Sequence, residues 1–353
     1  MLKLRFGLPP LAVLVVVFAL TALPGLAQKA DSPPPREVPE EDQPVAGTVD
    51  DPAATFKSSV EVVQLFFNVK DKHGALIPSL TKDSFDVYED GKPQTVKYFK
   101  AESDLPLTLG ILIDASGSQR RVLEIEQEVG GTFLEETLRP RDMASVFSFD
   151  VDVNLLQDFT GSIPRLKKAL RDVKINSGTG ACANLPGLGG GPVPCPSTGP
   201  RGTVLYDAVY VASHDAFAQE VGRKAMILLT DGEDQGSRLK IKDAIEAAHK
   251  ADTICYVLLI ADRGISMGFG GGAMRKLTEE TGGRVIEVGN KFDKLKQAFD
   301  QISQELRSQY NIGYTPTNGN RDGGFRKVEI KPKGGDYKVQ ARAGYYAMPR
   351  KDD

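Results

Sequence analysis

The chain has 353 residues, 41% of them hydrophobic and 26% charged, so most of it can bury a core and it is not a disordered chain. Forty-four Lys and Arg against 47 Asp and Glu give a net charge of −3 with no basic block, which excludes an electrostatic nucleic-acid binder. Three scattered histidines (His73, His214, His249) and three cysteines (Cys182, Cys195, Cys255) exclude a histidine-rich metal centre and a disulfide-built scaffold.

Residues 1–27 read as a secretory signal peptide. Lys3 and Arg5 precede an apolar run from Leu11 to Leu23, and the small residues Gly25 and Ala27 stand before Gln28. The apolar run is shorter than the ~20 residues of a spanning helix. Cleavage after Ala27 is expected, which places the mature chain in the periplasm, at the cell envelope or outside the cell, with no stable membrane span. Residues 28–57, rich in Pro and acidic side chains, read as an extended linker that cannot bury enough surface to offset its ordering entropy.

Residues 58–103 read as strands. Val63, Leu65, Phe67 and Val69 alternate with other residues, and Phe85 and Val87 precede the turn signal Glu89-Asp90-Gly91-Lys92-Pro93. From 104 to 308 apolar strands alternate with amphipathic helices. The strands are Leu107–Ile113, Met143–Phe149, Ala225–Leu229 and Ile254–Ile260. The helical stripes are Val122-Ile125-Val129-Phe133, Ile163-Leu166-Leu170-Val173 and Phe292-Leu295-Phe299-Ile302-Leu306. This alternation predicts an α/β fold with a doubly wound, mostly parallel sheet covered on both faces. Residues 309–353 return to β patterning, with a turn at Lys333-Gly334-Gly335-Asp336. The tail is expected to pair with 58–103, so that the flanks form one small β-sandwich with the α/β domain inserted between them.

The segment 176–202 is rich in Gly and Pro and holds Cys182 and Cys195, a possible disulfide in an exported protein. Cys255, in an apolar strand, reads as a core residue. Gly189-Gly190-Gly191 has no Gly-Lys-Ser/Thr after it and is not a phosphate loop. His214 and His249 read as surface or packing residues, and His73 as a turn residue.

Chemistry concentrates at strand ends. Asp114-Ala115-Ser116-Gly117-Ser118 ends one apolar strand, Thr203 opens the helix after the Gly-rich segment, and Asp231 ends another strand. In open α/β sheets ligands bind beyond the carboxyl ends of the strands. Two carboxylates and three hydroxyls, with no His or Cys, suit a hard cation such as Mg2+, with Mn2+ and Ca2+ as alternatives. Glu233 and Asp234 read as an acidic turn or a second cation site.

The Asp-x-Ser-x-Ser pattern with a later Thr and a later Asp resembles the metal-ion-dependent adhesion site of the von Willebrand factor type A family. The flanking stretches Phe85–Gln94, Leu306–Tyr314 and Arg342–Tyr346 are similar to those of a bacterial extracytoplasmic subgroup of that family. The resemblance implies Ser116, Ser118 and Thr203 as direct metal ligands, with Asp114 and Asp231 acting directly or through water. It also implies that the helix over 120–138 shifts on ligation. The expected function is non-enzymatic: an exported adhesion, receptor or assembly module whose cation accepts an Asp or Glu of a partner protein. The alternatives are an envelope component in which the metal only stabilises the fold and, further off, a metal-dependent hydrolase, for which no spaced His, Lys or Glu base stands out.

Overall fold

The structure is a computed structural model that describes residues 62–101, 105–175, 202–260, 269–289 and 291–349. The described residues all belong to one compact unit, Ser58–Asp353. The expected signal peptide, the expected linker and the possible Cys182–Cys195 disulfide lie outside the described residues.

The described strands are β1 (Val63–Lys70), β2 (Phe85–Glu89), β3 (Lys92–Gln94), β4 (Val96–Lys100), β5 (Leu107–Asp114), β6 (Met143–Phe149), β7 (Val153–Thr160), β8 (Arg223–Thr230), β9 (Thr253–Leu259), β10 (Val285–Glu287), β11 (Tyr310–Tyr314), β12 (Phe325–Pro332), β13 (Lys338–Ala341) and β14 (Gly344–Tyr346). The α-helices are α1 (Leu123–Thr137), α2 (Ile163–Asp172), α3 (Leu205–Val211), α4 (Ile241–Lys250), α5 (Phe269–Thr281) and α6 (Phe292–Arg307).

The central sheet is six-stranded in the order β10-β9-β8-β5-β6-β7, parallel except for the edge strand β7. Every residue of β5, β8 and β9 is buried, because helices cover both faces and leave no side for a polar alternation. Leu109, Ile111 and Ile113 of β5 pack with α1, α2 and α6 on one face. Leu112 packs with α3, α4 and α5 on the other. The period-2 pleat sorts the apolar residues between two cores. Gly110 leaves room for the Phe217 ring, which a Cβ there would meet at 2.8 Å.

The flanks form a β-sandwich. One sheet runs β13-β1-β11-β4 and the other β14-β12-β2-β3. Residues 58–103 and the tail pair directly: Leu65 faces Ile312 across β1 and β11, and Val87 faces Ile330 across β2 and β12. Leu65, Phe67, Phe85, Val87, Tyr310, Ile312 and Val328 share one core between the sheets. The β2–β3 turn holds Asp90 and Gly91 at φ 48° and 78°, the positive values that a two-residue hairpin loop requires. Gly334 and Gly335, at φ 75° and 76°, turn the chain from β12 to β13. Those two strands lie in different sheets, so this turn is a crossover and not a hairpin.

Four elements of the α/β domain escape the sequence patterns: β7, β10, α4 and α5. β7 is an edge strand only partly buried, and β10 has three residues, so neither leaves a clear alternation. Helix α1 is shorter than 120–138, because 117–121 winds as a 3-10 turn ahead of it.

Candidate metal centre

The strand order reverses at β5. From there the chain proceeds outward through β6 and β7, then returns to the other side of β5 as β8. The crevice between the carboxyl ends of β5 and β8 is therefore the switch point, the usual ligand position of such sheets. Asp114 is the last residue of β5, and Asp231 follows Thr230, the last residue of β8.

Asp114 is fully buried. Its Oδ1 accepts the Ser116 N–H at 2.9 Å, and its Oδ2 accepts the Thr230 hydroxyl at 2.7 Å. The Thr230 hydroxyl oxygen in turn accepts the Gly232 N–H at 3.0 Å. Ser116 and Ser118 place their hydroxyl oxygens 2.9 Å apart. The half-buried Asp231 accepts the Glu233 N–H at 3.1 Å. Thr203 is buried and lies two residues ahead of α3.

Three backbone ties bring these loops together. The Ala115 N–H donates to the Phe149 carbonyl at 2.8 Å and the Val204 N–H to the neighbouring Asp150 carbonyl at 2.7 Å. The end of β6 therefore carries both the Asp114–Ser118 loop and the Thr203 turn. The Gln235 N–H donates to the Thr203 carbonyl at 3.0 Å, which joins that turn to the loop after Asp231. Asp234 belongs to this scaffold: it accepts the Tyr206 N–H at 3.2 Å and the Ser237 hydroxyl at 2.5 Å. It pins the start of α3, so the second-cation reading of Asp234 gives way to a structural one. Glu233 accepts from the Gln235 side chain at 2.8 Å.

Burial pushes the Asp114 carboxyl up to about 6; hydrogen bonds from Ser116 pull it down, and the Asp231 charge pushes it further up. Repulsion between the two carboxylates is the electrostatic condition that a bound cation would relieve. The donor set fits a hard cation on this ground and on its chemistry: five oxygen donors and no soft ligand. Among the described residues no three His, Cys, Asp or Glu side chains form a metal-holding group, so the hydroxyls are indispensable to the set.

Two participants escaped the sequence reading. Thr230 holds Asp114 in place. Glu126, on α1, is fully buried and feels the charges of both Asp114 and Asp231, which add to the burial that raises its carboxyl well above the ordinary range. The signal was present: Val122, Glu126, Val129 and Phe133 fall on one helical stripe, and a carboxylate on an apolar stripe is out of place.

The other histidines and Cys255 stand apart. His214 is exposed beside Asp215, while His249 packs edge-on against Phe325 and Tyr346. Burial pushes the Cys255 thiol up to about 12, so it stays an unreactive core group. An open cleft at the opposite end of the sheet is lined by Gln64, Arg223, Lys224, His249 and Arg342. Arg223 donates there to the Leu105 and Leu306 carbonyls, Lys224 to that of Glu220, and Arg342 pairs with Asp252. These cations serve the junction between sheet and sandwich.

No protein-family model matches the chain, and no curated relative matches it. Several solved structures do. Protein BatB from Bacteroides thetaiotaomicron is 18% identical over 57% of this chain and 100% of its own, with a TM-score of 0.43. Proximal thread matrix protein 1 from the mussel byssus, in a structure with a zinc-occupied MIDAS motif, is 15% identical over 61% of this chain and 48% of its own, with a TM-score of 0.45. The SpRpn10 VWA domain is 12% identical over 56% of this chain and 95% of its own, at 0.37. Of these structures, one is named as a VWA domain and one as carrying a MIDAS motif.

Proposed function

We propose that the chain is a metal-dependent protein-binding module whose site is formed by Asp114, Ser116, Ser118, Thr203 and Asp231. One observation carries the reading. A fully buried carboxylate and a half-buried one meet three hydroxyl-bearing residues at the switch point of the sheet, and the carboxylates repel one another. Ser116, Ser118 and Thr203 would hold Mg2+, Mn2+ or Ca2+ through neutral oxygens, with Asp114 and Asp231 supplying charge. Bound there, such an ion supplies a Lewis-acidic position for an Asp or Glu carboxylate of a partner protein.

The chain's own residues do the rest. Thr230 and the Ser116 N–H orient Asp114, so its oxygens stay directed without a metal. The Gln235 N–H, bonded to the Thr203 carbonyl, ties the Thr203 turn to the Asp231 loop. The module is read as non-catalytic and exported. Among the described residues no helix is long and apolar enough to cross a membrane.

The test is capture of partner proteins from envelope and secreted fractions by the wild-type chain in Mg2+, in EDTA and as Asp114→Ala. The reading expects a protein captured only by wild type and only with metal. Equal capture in every lane would sink it and favour the fold-stabilising role, in which Asp231→Ala lowers the melting temperature without loss of capture.

A further inference from the structure

The described residues hold three buried glutamates: Glu89, Glu126 and Glu305. Two are fully partnered. Glu89 accepts the Tyr314 and Tyr345 hydroxyls at 2.8 and 2.9 Å. Glu305 accepts from Lys70 and Arg284, both at 2.8 Å, and from Gln340 at 3.2 Å. Glu126 has no hydrogen-bond partner at either carboxylate oxygen. Such burial of an unpartnered carboxylate costs several kcal/mol and is retained only where something offsets it.

The surroundings of Glu126 say what that is. Burial and the charges of Asp114 and Asp231 are the influences on its carboxyl, and no cationic side chain is among them. A backbone ladder ties it to the site. The Gln119 N–H donates to the Ser116 carbonyl at 3.1 Å. The Val122 N–H donates to Gln119 and the Glu126 N–H to Val122, each at 3.0 Å. Gln119, inside this ladder, also buries an unpartnered side-chain carbonyl. Asp114 and Glu126 are fully buried and Asp231 is half-buried, and the charges of both aspartates reach Glu126.

We propose that Glu126 is a third carboxylate of the cation site, a positioning charge on α1 that raises the affinity for a divalent ion without ligating it. It stands outside the ligand set because no three acidic side chains are grouped to share one ion. Coulomb attraction in a poorly hydrated interior reaches beyond bonding distance, so a charge behind the ligands still counts. This inference rests on the cation reading of the Asp114 site and adds a residue to it.

The experiment uses the full chain with Mg2+ and Mn2+ as probes. Titration calorimetry measures the cation affinity of wild type, Glu126→Gln and Glu126→Met, with Asp114→Ala as the reference for a lost site. Melting in EDTA is measured alongside. Without its buried, unpartnered carboxyl group, each variant is expected to melt in EDTA at or above the wild-type temperature. Each is also expected to bind Mg2+ roughly tenfold or more weakly, the scale of one lost charge in a low-dielectric site. Wild-type affinity in a folded variant overturns the proposal, since Glu126 is then an uncoupled core residue. Lower melting of both variants in EDTA also overturns it, since Glu126 then has a structural partner. A wild type that binds neither ion removes the whole site reading, which separates that failure from this one.

Discussion

Burial pushes the His249 imidazole from its ordinary 6.5 down to about 4, and the nearby Arg342 charge adds to the effect. A backbone hydrogen bond with Gly344 opposes the shift without cancelling it, and the Glu280 carboxylate stands 4.0 Å from Nε2, beyond hydrogen-bond length. The unfolded chain therefore takes up this proton at a higher pH than the folded one does. The stability tied to His249 is complete above pH 6.5 and is lost as pH falls towards 4, a difference of about 3 kcal/mol. Urea midpoints measured between pH 7.5 and 4.5 should fall, and His249→Phe, which keeps the edge-on contacts, should flatten that fall. A variant with the wild-type slope would assign the acid sensitivity elsewhere. Thr230 shows the opposite use of a polar group: it is buried, yet its hydroxyl both donates and accepts, and it orients the carboxylate at the centre of the proposed metal site.

At the scale of elements, close approach is set by glycine. Gly283 lies between α5 and β10, and a Cβ there would run into the Cys255 carbonyl of β9. That obstacle is backbone and cannot rotate away. Gly283→Ala should push β10 off the sheet at a cost of about 1–3 kcal/mol, the usual range for overpacking. Gly319→Ala, with nothing near its Cβ, is the control. Chemical denaturation of the two variants checks this; equal midpoints would mean that β10 moves at no cost. Gly130 and Gly131 of α1 differ: a Cβ at either would meet Leu170 or Lys167 of α2 only at ordinary contact distances of 3.4–4.0 Å, so neither is required for that packing.

For the whole molecule, Glu305 joins the two folds. It sits on α6 of the α/β domain, takes Lys70 of β1 and Gln340 of β13 from the sandwich, and pairs with Arg284 beside β10. The Ala343 N–H reaches the Glu280 carbonyl at 2.8 Å, and Arg342 reaches Asp252 and the Gln64 carbonyl, so the junction is polar and extended. Glu305→Ala leaves Lys70 and Arg284 without their shared anion at a buried junction. The expected loss is about 3–5 kcal/mol. Calorimetry should show one cooperative transition for wild type and a lower or divided transition for the variant. An unchanged single transition would show that the sandwich and the α/β domain are coupled by other contacts.

Local pattern was enough to reveal the elements that repeat: the apolar runs of β5, β6, β8 and β9, the stripes of α1, α2 and α6, and the alternating flanks. It also displayed Asp114, Ser116, Ser118, Thr203 and Asp231, because each stands at a strand end or helix start that punctuates such a pattern. It passed over β7, which lies on an edge and is only partly buried, and α4 and α5, which cover the sheet on its far face. Only the tertiary structure decided that Glu126 belongs with Asp114 and Asp231, that Thr230 orients Asp114, and that Asp234 pins α3. Those relations depend on which strands are neighbours. The switch from β5 to β8, which sets Asp114 beside Thr230, joins residues more than a hundred positions apart, a proximity that no local periodicity records.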